Sequence, residues 1–186
     1  MTVLFICRGN LCRSPMAMAL FNHLVCQYKL PGVSAGSAGY YDWSLFPREA
    51  HPFARRAVEA LCGTDLLVKH RAVLWIDDAV SSSDLVVVAE QWMRDDFPAG
   101  KTLTMRQLAG RDGDVEDPYG GDYDAFVACA REILQLIESG WPLLVGSKDL
   151  SPRIFGNNGP SYSIVPLESM RPSTGRESGE DLVAGP

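Results

Sequence analysis

Residues 1–15, MTVLFICRGNLCRSP, run an apolar segment directly into two cysteines, a Gly-Asn pair, an arginine and a Ser-Pro dipeptide. A continuous apolar run such as Thr2–Ile6 is what a strand buried on both faces needs. Ser14-Pro15 reads as a helix opening, because serine can cap and proline suits the first turn. Strand, short loop and helix make the first half of a βαβ unit. The loop Arg8–Cys12 then lies at the C-terminal end of its strand, the edge where open α/β sheets bind ligands.

The pattern continues outward from this start. Met16, Ala19, Leu20, His23 and Leu24 recur at helical spacing, and Pro31-Gly32 stops the helix. Val33–Ser37 is predicted as a second strand, and an aromatic loop follows. Phe53–Cys62 has helical spacing, and Ile76–Val80 suggests one helical turn. Leu85–Ala89 is five apolar residues between Asp84 and Glu90, the clearest central strand. Trp92–Phe97 suggests a short helix and Lys101–Met105 a fourth strand. Tyr123–Ser139 is a strong helix with Phe126, Val127, Ala130, Ile133, Leu134 and Ile137 on one face. Alternating strands and helices predict an α/β three-layer sandwich: a four-stranded parallel sheet flanked by helices, with the loop after the first strand on its ligand edge. A domain is expected over residues 1–142. Residues 143–186 form a C-terminal extension, rich in Ser, Gly, Pro and Asn from Ser151 on, and are expected to be largely disordered.

The 186 residues suffice for one substantial core. A net charge of −6 argues against a nucleic-acid partner or a basic membrane patch, and no run of residues is apolar enough to span a bilayer. Five cysteines without a secretory leader predict a reducing compartment, the cytoplasm, and free thiols. Structural zinc needs four ligands, and no second Cys/Cys or Cys/His pair has ligand spacing, so no metal site is expected.

An oxyanion cradle accounts for more of the opening stretch than a metal or a disulfide does. A loop between strand and helix can turn successive N–H groups inward, and the helix N-terminus adds its own donors and dipole. Gly9 is expected to let the backbone turn. Asn10 tolerates left-handed dihedrals. Arg13 supplies a planar fork for two phosphate oxygens. The same field favours the thiolate of Cys7, the nucleophilic form, and Ser14 is close enough in sequence to donate to it. A bare Cys-x5-Arg is weak, but C-x-G-N-x-C-R-S-P after an apolar strand is restrictive. Phosphoryl transfer also needs an acid for the leaving group. Asp117, in the stiff Asp-Pro turn of GDVEDPYGGDYD (residues 113–124), is the candidate and lies after the fourth strand.

CRGNLCRSP with a later DPYGG resembles the low-molecular-weight protein tyrosine phosphatases, with Ser34-Ala35-Gly36 and His70-Arg71-Ala72 as further landmarks. The resemblance spans Met1 to about Glu138. It implies Cys7 as nucleophile through a phosphocysteine, Arg13 binding the phosphoryl oxygens, and Asp117 as acid and then base. Arg8, Gly9, Asn10, Leu11, Cys12 and Ser14 would form the substrate loop, with Trp43 and Tyr119 beside the substrate ring. Asn10, Ser14, Ser34 and His70 would hold the loop in shape. Cys12 would be a second thiol able to pair reversibly with Cys7. No metal or organic cofactor is implied. The implied partner is a phosphotyrosine-bearing protein, a tyrosine kinase being one candidate.

The chain departs from the family pattern in places. Gly120-Gly121 after Tyr119 resembles bacterial branches, some of which act on phosphoarginine and carry Thr where this chain has Leu11. An apolar Leu11 favours phosphotyrosine. Tyr40-Tyr41-Asp42-Trp43 is expected to wall the aromatic ring. Val73 and Leu74 replace residues that are often polar. The rival readings are a phosphoarginine phosphatase, an arsenate reductase using an external thiol, and a non-catalytic phosphate-binding module.

Overall fold

The computed structural model describes residues 1–42 and 47–146. Four strands, β1 (Thr2–Cys7), β2 (Ser34–Gly39), β3 (Leu85–Val88) and β4 (Thr102–Thr104), form one parallel sheet in the order β2-β1-β3-β4. Five helices accompany it: α1 (Arg13–Gln27), α2 (Pro52–Cys62), α3 (Asp77–Ser82), α4 (Tyr123–Ser139) and the short α5 (Trp141–Leu144). This is the expected four-stranded parallel sheet with flanking helices.

Side chains of a strand alternate between its faces, so the apolar runs of β1 and β3 feed two cores. Val3, Phe5, Cys7, Leu85 and Val87 face α1, α2 and α4 in the larger core. Leu4, Ile6, Val86 and Val88 face the other way and pack with Ala38, Val80, Met93 and Phe97 in the smaller one. The central strands can be apolar throughout because both faces are covered. Phe5, Phe21 and Trp141 pack in series within the larger core, the first pair edge-to-face and the second tilted, with ring centroids 6.1 and 5.5 Å apart. The packed chain continues past Pro142, since Leu144 and Val145 are buried in that core. The rest of the predicted extension, residues 147–186, lies outside the described residues.

Several boundaries differ from expectation. β2 runs to Gly39 and not Ser37, because its register carries the pairing to Cys7↔Gly39. Residues 91–96 form a 3-10 helix, and two more, at Ala99–Lys101 and Arg106–Ala109, were not expected. Ser14 does not cap α1. The helix starts at Arg13 with no side-chain cap, and the Ser14 hydroxyl is engaged by the preceding loop. Among the described residues no helix is long and apolar enough to cross a membrane.

Candidate active site

β1 ends at Cys7, and α1 begins six residues later, which forces residues 8–12 into a tight loop over the C-terminal edge of the sheet. The left-handed residue of that loop is Asn10 (φ 55°), while Gly9 has no positive φ. The turn therefore rests on the asparagine, whose short polar side chain is also the hub of the loop. Asn10 Nδ2 donates to Ser14 Oγ and to Ser37 Oγ, each at 2.9 Å, and Asn10 Oδ1 accepts from the Val73 N–H at 3.1 Å. His70 Nε2–H donates to the Asn10 carbonyl at 2.8 Å. The Cys7 Sγ lies 3.0 Å from Ser14 Oγ, itself buried. Among the described residues, the N–H groups of Gly9, Asn10, Leu11 and Cys12 donate to no protein acceptor. Free donors at a helix N-terminus are what an oxyanion requires.

Arg13 is 1% exposed, and its fork is almost fully engaged. One terminal nitrogen donates to the Val115 carbonyl at 2.9 Å. The other reaches Asp117 Oδ2 at 2.5 Å and Glu90 Oε1 at 2.9 Å. Its Nε–H is buried without a partner. An unmet buried donor costs about 1–3 kcal/mol, so this atom awaits an acceptor that the protein does not supply.

Glu90 went unassigned in the sequence and proves central. It stands at the C-terminal end of β3, buried, and accepts from Arg8 Nε at 2.8 Å, Arg8 Nη2 at 2.7 Å and Trp92 Nε1 at 2.8 Å besides pairing with Arg13. Burial pushes its pKa up, but the bonds from Arg8 and Trp92 and the Arg13 charge outweigh that and hold it below the usual carboxylate range. The available signal was positional: an acid ending the central strand must lie on the ligand edge.

Asp117 reaches the same place from the loop before α4. Its Oδ1 accepts from the Tyr119 N–H at 3.2 Å, and Gly120 (φ 87°) closes the turn with a Gly121 N–H to Pro118 carbonyl bond of 2.9 Å. A cleft of about 660 Å³ opens over Cys7. Its walls include Leu11, Ala50, His51, Asp117 and Tyr119. Arg8, Gly9 and Cys12 also face it. Burial, with the Cys7 sulfur adding to it, pushes the Cys12 thiol far above its ordinary range, so it stays protonated. All five cysteines are free thiols.

The aromatic wall differs from expectation. Tyr40 donates to Asp96 at 2.5 Å and packs on Trp92, and Tyr41 lines a neighbouring cavity, not the cleft. Trp43 lies outside the described residues. His51, which was not predicted, takes a place in the wall. It caps α2 by accepting the Phe53 N–H at 3.2 Å and stacks on Phe126 with ring centroids 4.5 Å apart. Ser34 is a correction. It pairs with Thr2 at the opposite end of β2, and Ser37, paired with Phe5 and so nearer the loop, is the serine that holds Asn10.

Two expected results follow from this packing. A Cβ at Gly39 would sit 3.1 Å from the Gly9 carbonyl carbon and 3.2 Å from the Asn10 nitrogen, both backbone atoms of the loop. Gly39→Ala should shift the loop by tenths of an ångström and lower kcat/KM by about tenfold while the far-UV spectrum is unchanged. The second result concerns pH. Burial lowers the pKa of His70, the Arg71 charge adding to it against the Asn10 bond, and burial lowers that of His51 too, both from 6.5. Between those folded values and 6.5 the unfolded chain holds more protons. Stability should therefore fall as pH drops below about 6.5, and His70→Asn should flatten that dependence in urea melts.

Known proteins agree on the family and divide on the substrate in their names. The family description "Low molecular weight phosphotyrosine protein phosphatase" matches residues 2–150. A protein-arginine-phosphatase of Geobacillus stearothermophilus is 33% identical over 144 residues, covering 73% of this chain and 90% of that one. A probable low molecular weight protein-tyrosine-phosphatase, EpsP, of Ralstonia nicotianae is 34% identical over 145 residues, covering 75% and 90%. The crystal structure of a low molecular weight protein tyrosine phosphatase from T. tengcongensis superposes with a TM-score of 0.67 at 33% identity, covering 75% of this chain and 96% of that one. The Cys7–Ser14 loop on this four-stranded fold, together with a family match over residues 2–150, places the chain in the low molecular weight phosphotyrosine protein phosphatase family.

Proposed function

We propose that the protein hydrolyses phosphotyrosine in protein substrates through a phosphocysteine on Cys7. In this reading Cys7 Sγ, as thiolate, attacks phosphorus as the aryl oxygen leaves. Asp117, as the carboxylic acid, gives that oxygen its proton. The loop N–H groups and the unpartnered Arg13 Nε–H hold the phosphoryl oxygens through the transition state. Asp117, now a carboxylate, takes a proton from water, which attacks phosphorus, and the S–P bond breaks to return the thiolate. Glu90 fixes the fork of Arg13 from behind.

The observation that carries the tyrosine preference is the cleft wall. Leu11, Pro47, Ala50, Pro52 and Tyr119 surround the entrance to Cys7 with apolar and aromatic surface that suits a phenyl ring. A phosphoguanidinium would need acceptors for its N–H groups, and Leu11 offers none. The relative named as an arginine phosphatase, together with Glu49 on the cleft wall, keeps phosphoarginine as the second reading. Matched phosphotyrosine and phosphoarginine peptides separate the two. The expected result is a kcat/KM at least about tenfold higher for phosphotyrosine, with Leu11→Thr narrowing the gap. A preference for phosphoarginine in the unmodified protein would reverse the assignment.

A further inference from the structure

We propose that the segment Val73–Ile76 is a docking edge on which the substrate protein adds as an extended strand while its phosphorylated residue occupies the cleft; the inference rests on the phosphoprotein phosphatase reading above. The segment runs parallel to the end of β2 and is tied to it through one residue. Gly39 N–H donates to the Val73 carbonyl at 2.7 Å, and Trp75 N–H donates to the Gly39 carbonyl at 3.0 Å, a single parallel bridge Gly39↔Leu74. In that pattern the N–H and C=O of Leu74 point away from the sheet. Neither has a partner among the described residues.

The side chains along this open edge are apolar and exposed: Val73 54%, Leu74 44% and Ile76 58%. Native sheets usually blunt an open edge with charge or proline, and a contiguous exposed apolar row there marks an interaction site. The edge is also continuous with the cleft. A second cavity of about 290 Å³, lined by Gly9, Tyr41, Asp42, Arg48, Ala72, Val73 and Leu74, adjoins the larger one, and Gly9 lines both. A chain leaving the cleft past Gly9 meets a pocket for one side chain and then the free Leu74 amide. Strand addition takes its affinity from main-chain bonds and its selectivity from alternate side chains, so the fitting substrate is an extended segment with apolar residues flanking the phosphotyrosine.

The test compares the protein with Leu74→Glu/Ile76→Glu on 4-nitrophenyl phosphate and on two phosphotyrosine peptides, one with Val and Ile at alternate flanking positions and one with Ser there. The variant should hydrolyse nitrophenyl phosphate as the parent does and lose about tenfold in kcat/KM, through KM, on the apolar-flanked peptide alone. In Cys7→Ser, that peptide should slow amide exchange at Leu74. Equal peptide kinetics in parent and variant, or no protection at residues 73–76, would overturn the docking edge while leaving the phosphatase reading intact. Self-association that the double variant abolishes, without a peptide effect, would overturn it in favour of a second copy as occupant. No nitrophenyl phosphate hydrolysis by the parent would overturn both.

Discussion

Cys7→Ser should abolish turnover of aryl phosphates, with a loss of about ten-thousand-fold or more in kcat, while the fold is kept. The side chain sits at the end of β1, buried against α1, 3.0 Å from the Ser14 hydroxyl. Oxygen for sulfur is nearly isosteric, so packing and the Asn10 hub are undisturbed. What changes is the nucleophile: a hydroxyl ionises far less readily than a thiol, and an alkoxide is a much poorer leaving group from phosphorus than a thiolate. The assay is steady-state hydrolysis of 4-nitrophenyl phosphate with reductant and chelator present, beside a urea melt of the variant. A variant that folds and retains more than a hundredth of the parent rate would remove Cys7 from the nucleophile role.

Arg13→Lys should cost about a hundred- to a thousand-fold in kcat although the charge is conserved. The guanidinium meets the Val115 carbonyl and the Glu90 and Asp117 carboxylates, and in the proposed reaction its Nε–H, which has no protein partner, holds a phosphoryl oxygen. An ammonium is a point donor on a flexible stem and cannot reproduce a planar fork. It would settle between Glu90 and Asp117 and leave the Nε position empty. The variant should also lose about 1–3 kcal/mol of stability, because the Val115 carbonyl is left unmet in the core. Near-parent activity in Arg13→Lys would show that charge alone, and not the fork, carries the phosphoryl oxygens.

Much of this site was legible in the sequence because it is local. Cys7, Asn10, Arg13 and Ser14 lie within eight residues, and the strand-to-helix switch fixes where they point. Asp117 was legible through its Asp-Pro turn and its position after the fourth strand. The parts that sequence reasoning missed depend on register and distant packing. Ser34 and Ser37 both lie on β2, and only the Cys7↔Gly39 register shows which one meets Asn10. Glu90 looked like a strand-ending acid until β3 was placed beside β1. His51 looked like a loop residue, because its stacking on Phe126 of α4 joins distant parts of the chain and has no short-range signature. The free edge at Leu74 comes from one isolated bridge between residues 35 positions apart, which no periodicity can reveal.

The central claim is a covalent phosphoryl group on Cys7, and trapping it tests that claim most directly. The protein is mixed with 4-nitrophenyl phosphate, quenched within the first turnover, and digested for peptide mass analysis. One phosphoryl group is expected on the peptide that carries Cys7, increased in Asp117→Asn because activation of water is slowed, and absent from Cys7→Ala, which has no atom to accept it. Turnover that proceeds with no phosphocysteine in either the parent or Asp117→Asn would contradict it, and would mean that water attacks phosphorus directly.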